Sequence, residues 1–235
     1  ALGGGSWARL GSDGAWVDIL GARDIAITPL AAANAGVSVS WSGHMTRFYG
    51  LPVKGIQLSA TGYGTHVVSR GECVVSARGL EGGGIYTVSR ALRNGGALTM
   101  DLMPDWTVDR IAARIAQARD KDTLANRLRK ALKLDAAKIA LLMEFGRPLP
   151  MGVELARLIK ALPIKHAGLC PIEEAISTAG GVAWAEVDDN LMLRKIPGVF
   201  VAGEMLDWEA PTGGYLITGC LATGRWAANA AEGWR

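Results

Sequence analysis

The chain has 235 residues, a formal charge of +3, and 49% hydrophobic against 20% charged residues. That is enough for a packed core and one to three domains, and the balance excludes a disordered chain. Lys and Arg are scattered rather than gathered in blocks, which argues against a nucleic-acid partner. No apolar run reads as a signal peptide or membrane span, so a cytoplasmic protein with no membrane partner is expected.

Ala1-Leu2 reads as the end of a buried strand running into Gly3-Gly4-Gly5, and the strand's first part is expected to precede Ala1, as in a fragment of a longer polypeptide. Ser12 and Asp13 are N-cap candidates for a helix to about Arg23. Residues 36–100 read as β, through "VSVSW" (37–41), "VKGIQLSA" (53–60), "THVVSRGECVVSA" (65–77) and "GALTMDLMP" (96–104). Arg70-Gly71 is the hairpin-turn candidate among them. Such short strands suggest an antiparallel barrel or sandwich.

From 105 to 162 the periodicity is helical. Thr107 and Thr123 are capping candidates, Gly146 ends a third helix, and "GVELARLIKAL" (152–162) supplies a fourth, stopped by Pro163. Residues 164–195 return to β, with turns expected at Gly180-Gly181 and Asp188-Asp189-Asn190. The end reads as strand ("GVFVAGE"), loop ("MLDWEAPTGG") and a helix rich in small residues.

Two places there suit a polar ligand. Glu204 follows Gly203 at the end of an apolar strand, where α/β sheets bind ligands, and its carboxylate can accept bonds from sugar hydroxyls. Gly213-Gly214 open the last helix, where free N–H groups and the helix dipole favour an anion or an electron-rich carbonyl. Each also has a plain reading, as a solvated acid and an ordinary loop. His44, His66 and His166 have no partner at ligand spacing. Cys73, Cys170 and Cys220 fit neither a disulfide framework nor a zinc site. No metal is expected. The dinucleotide fingerprint Gly-x-Gly-x-x-Gly and the Walker phosphate loop are both missing from the sequence.

"ALGGGSWARLGSDGAW", "GECVVSARGLEGGGIY", "ISTAGGVAWAEVD" and "LMLRKIPGVFVAGEMLDWEAPTGGYLITGCLATGRWAA" together resemble the bacterial aminoacetone-oxidase-like FAD flavoprotein family, within the two-dinucleotide-binding-domain superfamily. The resemblance spans essentially the whole chain. It implies a mixed α/β (α+β) fold in which an FAD-binding three-layer domain is split by a β-barrel-like domain that itself carries a helical-bundle insert. The expected segments are 1–30 (FAD domain, partial), 31–104 (barrel), 105–163 (helical insert), 164–190 (barrel return) and 191–235 (FAD domain, end). The resemblance also implies roles. Gly203-Glu204 is similar to the superfamily's Gly-Asp motif, whose acid bonds the ribityl chain. Gly213, Gly214 and Tyr215 would face the flavin pyrimidine end, with Asp207 and Thr212 as neighbours. Gly3 and Gly4 would lie toward the adenosine or pyrophosphate. No catalytic acid or base is implied.

The expectation is therefore a fragment of an FAD-dependent oxidoreductase acting on a small-molecule substrate, with NAD(P)H as a candidate partner. Lacking the first half of the FAD domain, the chain alone would hold FAD weakly or not at all. A non-catalytic interaction module derived from such a flavoprotein is the alternative. Either a homo-oligomer or local disorder over residues 1–20 and near 199–235 is expected, because a half-domain exposes apolar surface.

Overall fold

A computed structural model describes residues 1–62, 64–93, 95–118 and 123–234. In chain order its elements are α1 (Trp16–Gly21), β1 (Ile27–Ala33), β2 (Val37–Ser38), β3 (Pro52–Gly62), β4 (Thr65–Val75), β5 (Gly79–Glu81), α2 (Gly83–Arg93) and β6 (Ala97–Asp101). Then follow α3 (Val108–Ala116), α4 (Leu124–Leu132), α5 (Ala136–Phe145), α6 (Gly152–Lys160), β7 (Leu162–Ile164), β8 (Ser177–Val182) and α7 (Tyr215–Gly233). They divide into two compact units, Ala1–Ala35 with Cys170–Arg235, and Gly36–Leu169.

The second unit is an antiparallel sheet in the order β2-β5-β4-β3-β6-β7 with helices packed on it. On β3 the buried residues Ile56, Leu58 and Ala60 alternate with more exposed ones, as period 2 requires. The chain after β7 reaches the other end of the strand order: Ala167 N–H donates to Ser38 O, and Ser38 N–H to Gly168 O. Helix α2 buries Ile85, Val88 and Leu92, one face at i, i+3, i+7. Helices α3 to α6 share one core with the sheet. Thr107, Thr123 and Asp135 cap α3, α4 and α5, accepting from the N–H groups of Arg110, Asn126 and Lys138.

Arg70-Gly71 is not a turn. Both residues lie inside β4, opposite Gln57 and Ile56, and the hairpin closes between Gly62 and Thr65. Gly71 sits beside the register shift between Val53 and Ile56, where a strand interior accommodates glycine. The predicted run of β over 36–100 is likewise interrupted by α2.

The first unit is built on the antiparallel pair β1–β8. Its core gathers Trp16, Ile25, Val182, Leu193, Val201, Met205, Leu206 and Ala227. Pairing with β1 brings residues 170–190 into this unit, so only 164–169 of the expected barrel return remain with the large sheet. Gly180-Gly181 are not a turn either. They lie in β8 with positive φ, and their missing side chains admit backbone: a methyl at Gly180 would stand 2.3 Å from Pro29 O, and one at Gly181 2.5 Å from Met205 O. The Asp188 turn forms, with Leu191 N–H on Asp188 O.

Two more expectations change. The helix after Ser12-Asp13 starts at Trp16, and Asp13 accepts from Ala15 N–H in a local turn ahead of it. The apolar run before Gly203 makes a single bridge, Phe200 to Met192, with Val201 N–H on Leu191 O, and then a 3-10 turn over Gly203–Met205. Near both ends, where an oligomer or local disorder is expected from apolar exposure, Trp16, Val201, Met205 and Ala227 share one core, while Leu2, Leu10, Ile19, Tyr215, Ile217 and Leu221 stay exposed. Among the described residues no helix is long and apolar enough to cross a membrane.

Candidate functional site

The site in the first unit centres on Glu204. Its Oε2 accepts from Gly4 N–H at 3.2 Å and its Oε1 from Thr178 N–H at 2.9 Å. Thr178 Oγ1 in turn accepts from the N–H groups of Gly5 and Ser6, at 2.9 and 3.1 Å. One carboxylate and one hydroxyl therefore hold three consecutive backbone N–H groups of the opening glycine turn. The approach is close. A methyl at Gly4 would stand 2.4 Å from Thr178 Oγ1 and 2.9 Å from Glu204 Cδ. Gly3, with φ 76°, turns its carbonyl to the Trp16 indole N–H.

Glu204 has a role inside the fold that the resemblance does not name. Both its oxygens are engaged within the chain, and each keeps one lone pair for a further donor. Position 204 belongs first to the scaffold. Thr178 was not singled out from the sequence. The only signal was a threonine in the small-residue stretch "ISTAGG", and nothing in that stretch names its partners Gly5 and Ser6, 173 and 172 residues away.

Gly203 seats the last helix. Its N–H donates to Thr223 Oγ1, its carbonyl accepts from the Trp208 indole, and its φ is 79°. Cys220 Sγ lies beside it. Burial raises the Cys220 thiol above its ordinary pKa, and the Glu204 charge adds to that. Trp208 lies over Gly219, where a methyl would stand 2.3 Å from the ring. Gly219, Cys220 and Thr223 thus lie on the docking face of α7, with Ala227 buried further along, while Ala222, Ala228 and Ala231 are exposed.

Asp207 belongs to a neighbouring corner. Its Oδ2 accepts from Thr28 Oγ1 at 2.6 Å, its N–H donates to Val182 O, and its carbonyl accepts from the Trp184 indole. Asn34 fixes the loop that follows, donating to Ser177 Oγ and to Ala210 O.

Thr212, Gly213, Gly214 and Tyr215 form a separate, exposed group at the head of α7. Gly213 and Gly214 have φ of 103° and 91°, and no side chain caps the helix. The first intrahelical donor is Thr218 N–H, on Gly214 O, so the N–H groups of the first turn point outward. Gly214 stands about 9 Å along the helix from Cys220, six residues at the helical rise. The structure therefore joins Gly3, Gly4, Gly203 and Glu204 in one cluster and sets 212–215 apart at the end of the helix that cluster holds.

The glycine turn fixed by a carboxylate and the bare, glycine-flanked helix start suit a polar cofactor carrying anionic and carbonyl groups. The family comparison points the same way. The model of the HI0933-like protein Rossmann domain matches residues 1–230, and the chain belongs to that family of FAD-binding flavoproteins.

Proposed function

We propose that this chain is the C-terminal portion of an FAD-dependent oxidoreductase acting on a small molecule. The observation that carries the reading is the uncapped N-terminus of α7, exposed and preceded by two glycines in left-handed conformation. Bound there, FAD would supply the redox chemistry, and the protein would orient it and set its electrostatics. The N–H groups of Gly214 and Tyr215 would face the pyrimidine carbonyls, where the helix dipole favours negative charge. Glu204 would offer its remaining lone pairs to ribityl hydroxyls while it holds Gly4. The Gly3-Gly4 turn would approach the pyrophosphate side, and Asp207 and Thr212 would flank the ring.

The first unit then represents part of a split FAD domain. The phosphate-binding Gly-x-Gly-x-x-Gly unit, which this sequence lacks, would come from a preceding segment. We place the protein in the cytoplasm, with its three cysteines as thiols, and take NAD(P)H as the electron donor to try first. The test is flavin titration of the chain alone and with a strand–Gly-x-Gly-x-x-Gly–helix polypeptide supplied in cis or in trans. Weak binding alone and one flavin per complex on addition are expected. A chain that purifies yellow with one FAD per polypeptide would overturn the fragment reading. No flavin even with the added unit would overturn the cofactor reading.

One observation favours a second reading, a non-catalytic interaction module. Tyr215, Ile217 and Leu221 on α7 are 65%, 67% and 70% exposed, as is Leu2 at 61%. These residues give a homo-oligomer or a protein partner an apolar surface. Self-association without flavin under any of the conditions above would favour this reading.

A further inference from the structure

The second unit carries a cleft that the flavin reading does not use. It has a volume of about 450 Å³ and lies between the 3-10 turn over Gly43–Phe48, α4 and α5. Its wall is held in place by Glu144 of α5, which accepts from both the N–H and the hydroxyl of Ser42. Its apolar floor includes Phe48 and Ile139, both buried, with Met143 half-buried beside them. Three guanidinium groups line it, Arg47, Arg129 and Arg147.

Among the described residues these three exposed guanidinium groups have no carboxylate partner. Arg47 lies over the Phe48 ring, Arg129 donates to the Asn126 amide oxygen, and Arg147 approaches the Met143 sulfur. Two described acids by the cleft are engaged elsewhere: Glu144 holds Ser42, and Asp135 caps α5. Three like charges round one apolar floor repel one another, and an anion would relieve that repulsion. Guanidinium forks match a carboxylate in geometry, and the floor offers cover to a hydrocarbon body. The volume falls in the range of small-molecule pockets.

We infer that this cleft binds an amphipathic carboxylate, a small molecule with one anionic head and an aromatic or alicyclic body. Neither part alone accounts for the lining. A bare inorganic anion would leave half-buried Met143 and exposed Leu51 on the lining uncovered. A neutral hydrocarbon would leave the arginines unpaired.

Binding of 2-naphthoate to the whole 235-residue chain, followed by calorimetry, tests this against 2-naphthylmethanol (same body, no charge) and acetate (same charge, no body). Naphthoate should bind about tenfold or more tighter than either. Arg47→Gln with Arg129→Gln should weaken naphthoate by about tenfold and leave naphthylmethanol within about twofold. Ala136→Trp, at an exposed position on the lining, should block both aromatic probes while the thermal midpoint stays unchanged. Equal affinity for the charged and neutral probes would overturn the inference. So would naphthoate binding that survives both variants, or no naphthoate binding at millimolar concentration. None of these readouts involves flavin, so the inference stands or falls apart from the proposed cofactor.

Discussion

Glu204 accepts a hydrogen bond from the backbone N–H of Gly4 across 200 positions of sequence, and with its other oxygen it holds Thr178. Such charge-assisted bonds to backbone N–H are among the stronger ones in a fold. The acid that the resemblance assigns to the cofactor is therefore also the tie that shapes the glycine turn. Glu204→Gln keeps the size but replaces one acceptor oxygen by a donor, which then faces an N–H. A loss of about 1–3 kcal/mol in urea unfolding is expected. A variant as stable as the wild type would show that the tie is dispensable.

Gly4 and Thr178 should couple. Gly4→Ala places a methyl 2.4 Å from Thr178 Oγ1, so the turn must move away, at about 1–3 kcal/mol. Thr178→Val keeps the shape of the side chain and removes the acceptor of the Gly5 and Ser6 N–H groups, at about 1–3 kcal/mol. Once the turn has lifted off, the hydroxyl has little left to hold. The double variant should thus be less destabilised than the sum of the two, as a double-mutant cycle in denaturant will read.

Local signals were legible and distant ones were not. Thr107 and Thr123 cap helices because a short side-chain oxygen before an apolar period has one obvious local use, and the structure finds them doing it. Gly146 closes α5 as its spacing suggests. The glycine pairs mislead for the opposite reason. Gly180-Gly181 signal a need for missing side chains, and a turn is the usual local cause. Here the cause is tertiary, because backbone from β1 and from Met205–Leu206 lies against them. Similarly, Gly203-Glu204 could be marked as a site from its position after an apolar run. That Gly4 and Thr178 occupy the carboxylate is a long-range fact no window of sequence contains.

Cys73 should make stability fall in alkali. Burial is the main cause that pushes its thiol from 9.0 to about 12, with the Glu72 charge second and Lys138 opposing. The folded state keeps this proton where the unfolded chain releases it. The stabilisation is complete below pH 9 and declines between pH 9 and 12, by about 1.4 kcal/mol per pH unit. Lys138, whose pKa burial lowers, works in the opposite direction below 10.5. Comparison with Cys73→Ala isolates the cysteine: its stability should be flatter than that of the wild type from pH 9 upward. Parallel curves would contradict the assignment. In the native protein Cys73 should also resist alkylation at pH 8 while partly exposed Cys170 reacts, with Cys220, whose thiol burial and Glu204 hold protonated, reacting more slowly.

Two glycines in α7 separate intrinsic propensity from packing. Inside a helix, glycine is less favourable than alanine by about 0.8–1.0 kcal/mol, so either Gly→Ala change should help if nothing else intervenes. At Gly224 nothing lies within 4 Å of the added methyl, and Gly224→Ala should stabilise by about that amount. At Gly219 the methyl would stand 2.3 Å from the Trp208 ring, which also donates its indole N–H to Gly203 O. The ring is wide, and the backbone around Gly203 is held by Thr223, so the helix must shift. Overpacking of this kind costs about 1–3 kcal/mol and outweighs the gain in propensity. Gly219→Ala should therefore destabilise where Gly224→Ala stabilises, and hydrogen exchange along α7 should quicken only in the first. Because Gly203 sits under that same helix, Gly219→Ala should also weaken any flavin bound in the titration with an added Gly-x-Gly-x-x-Gly unit. Stabilisation by both changes would show that α7 is not seated on Trp208 and Gly203 in solution.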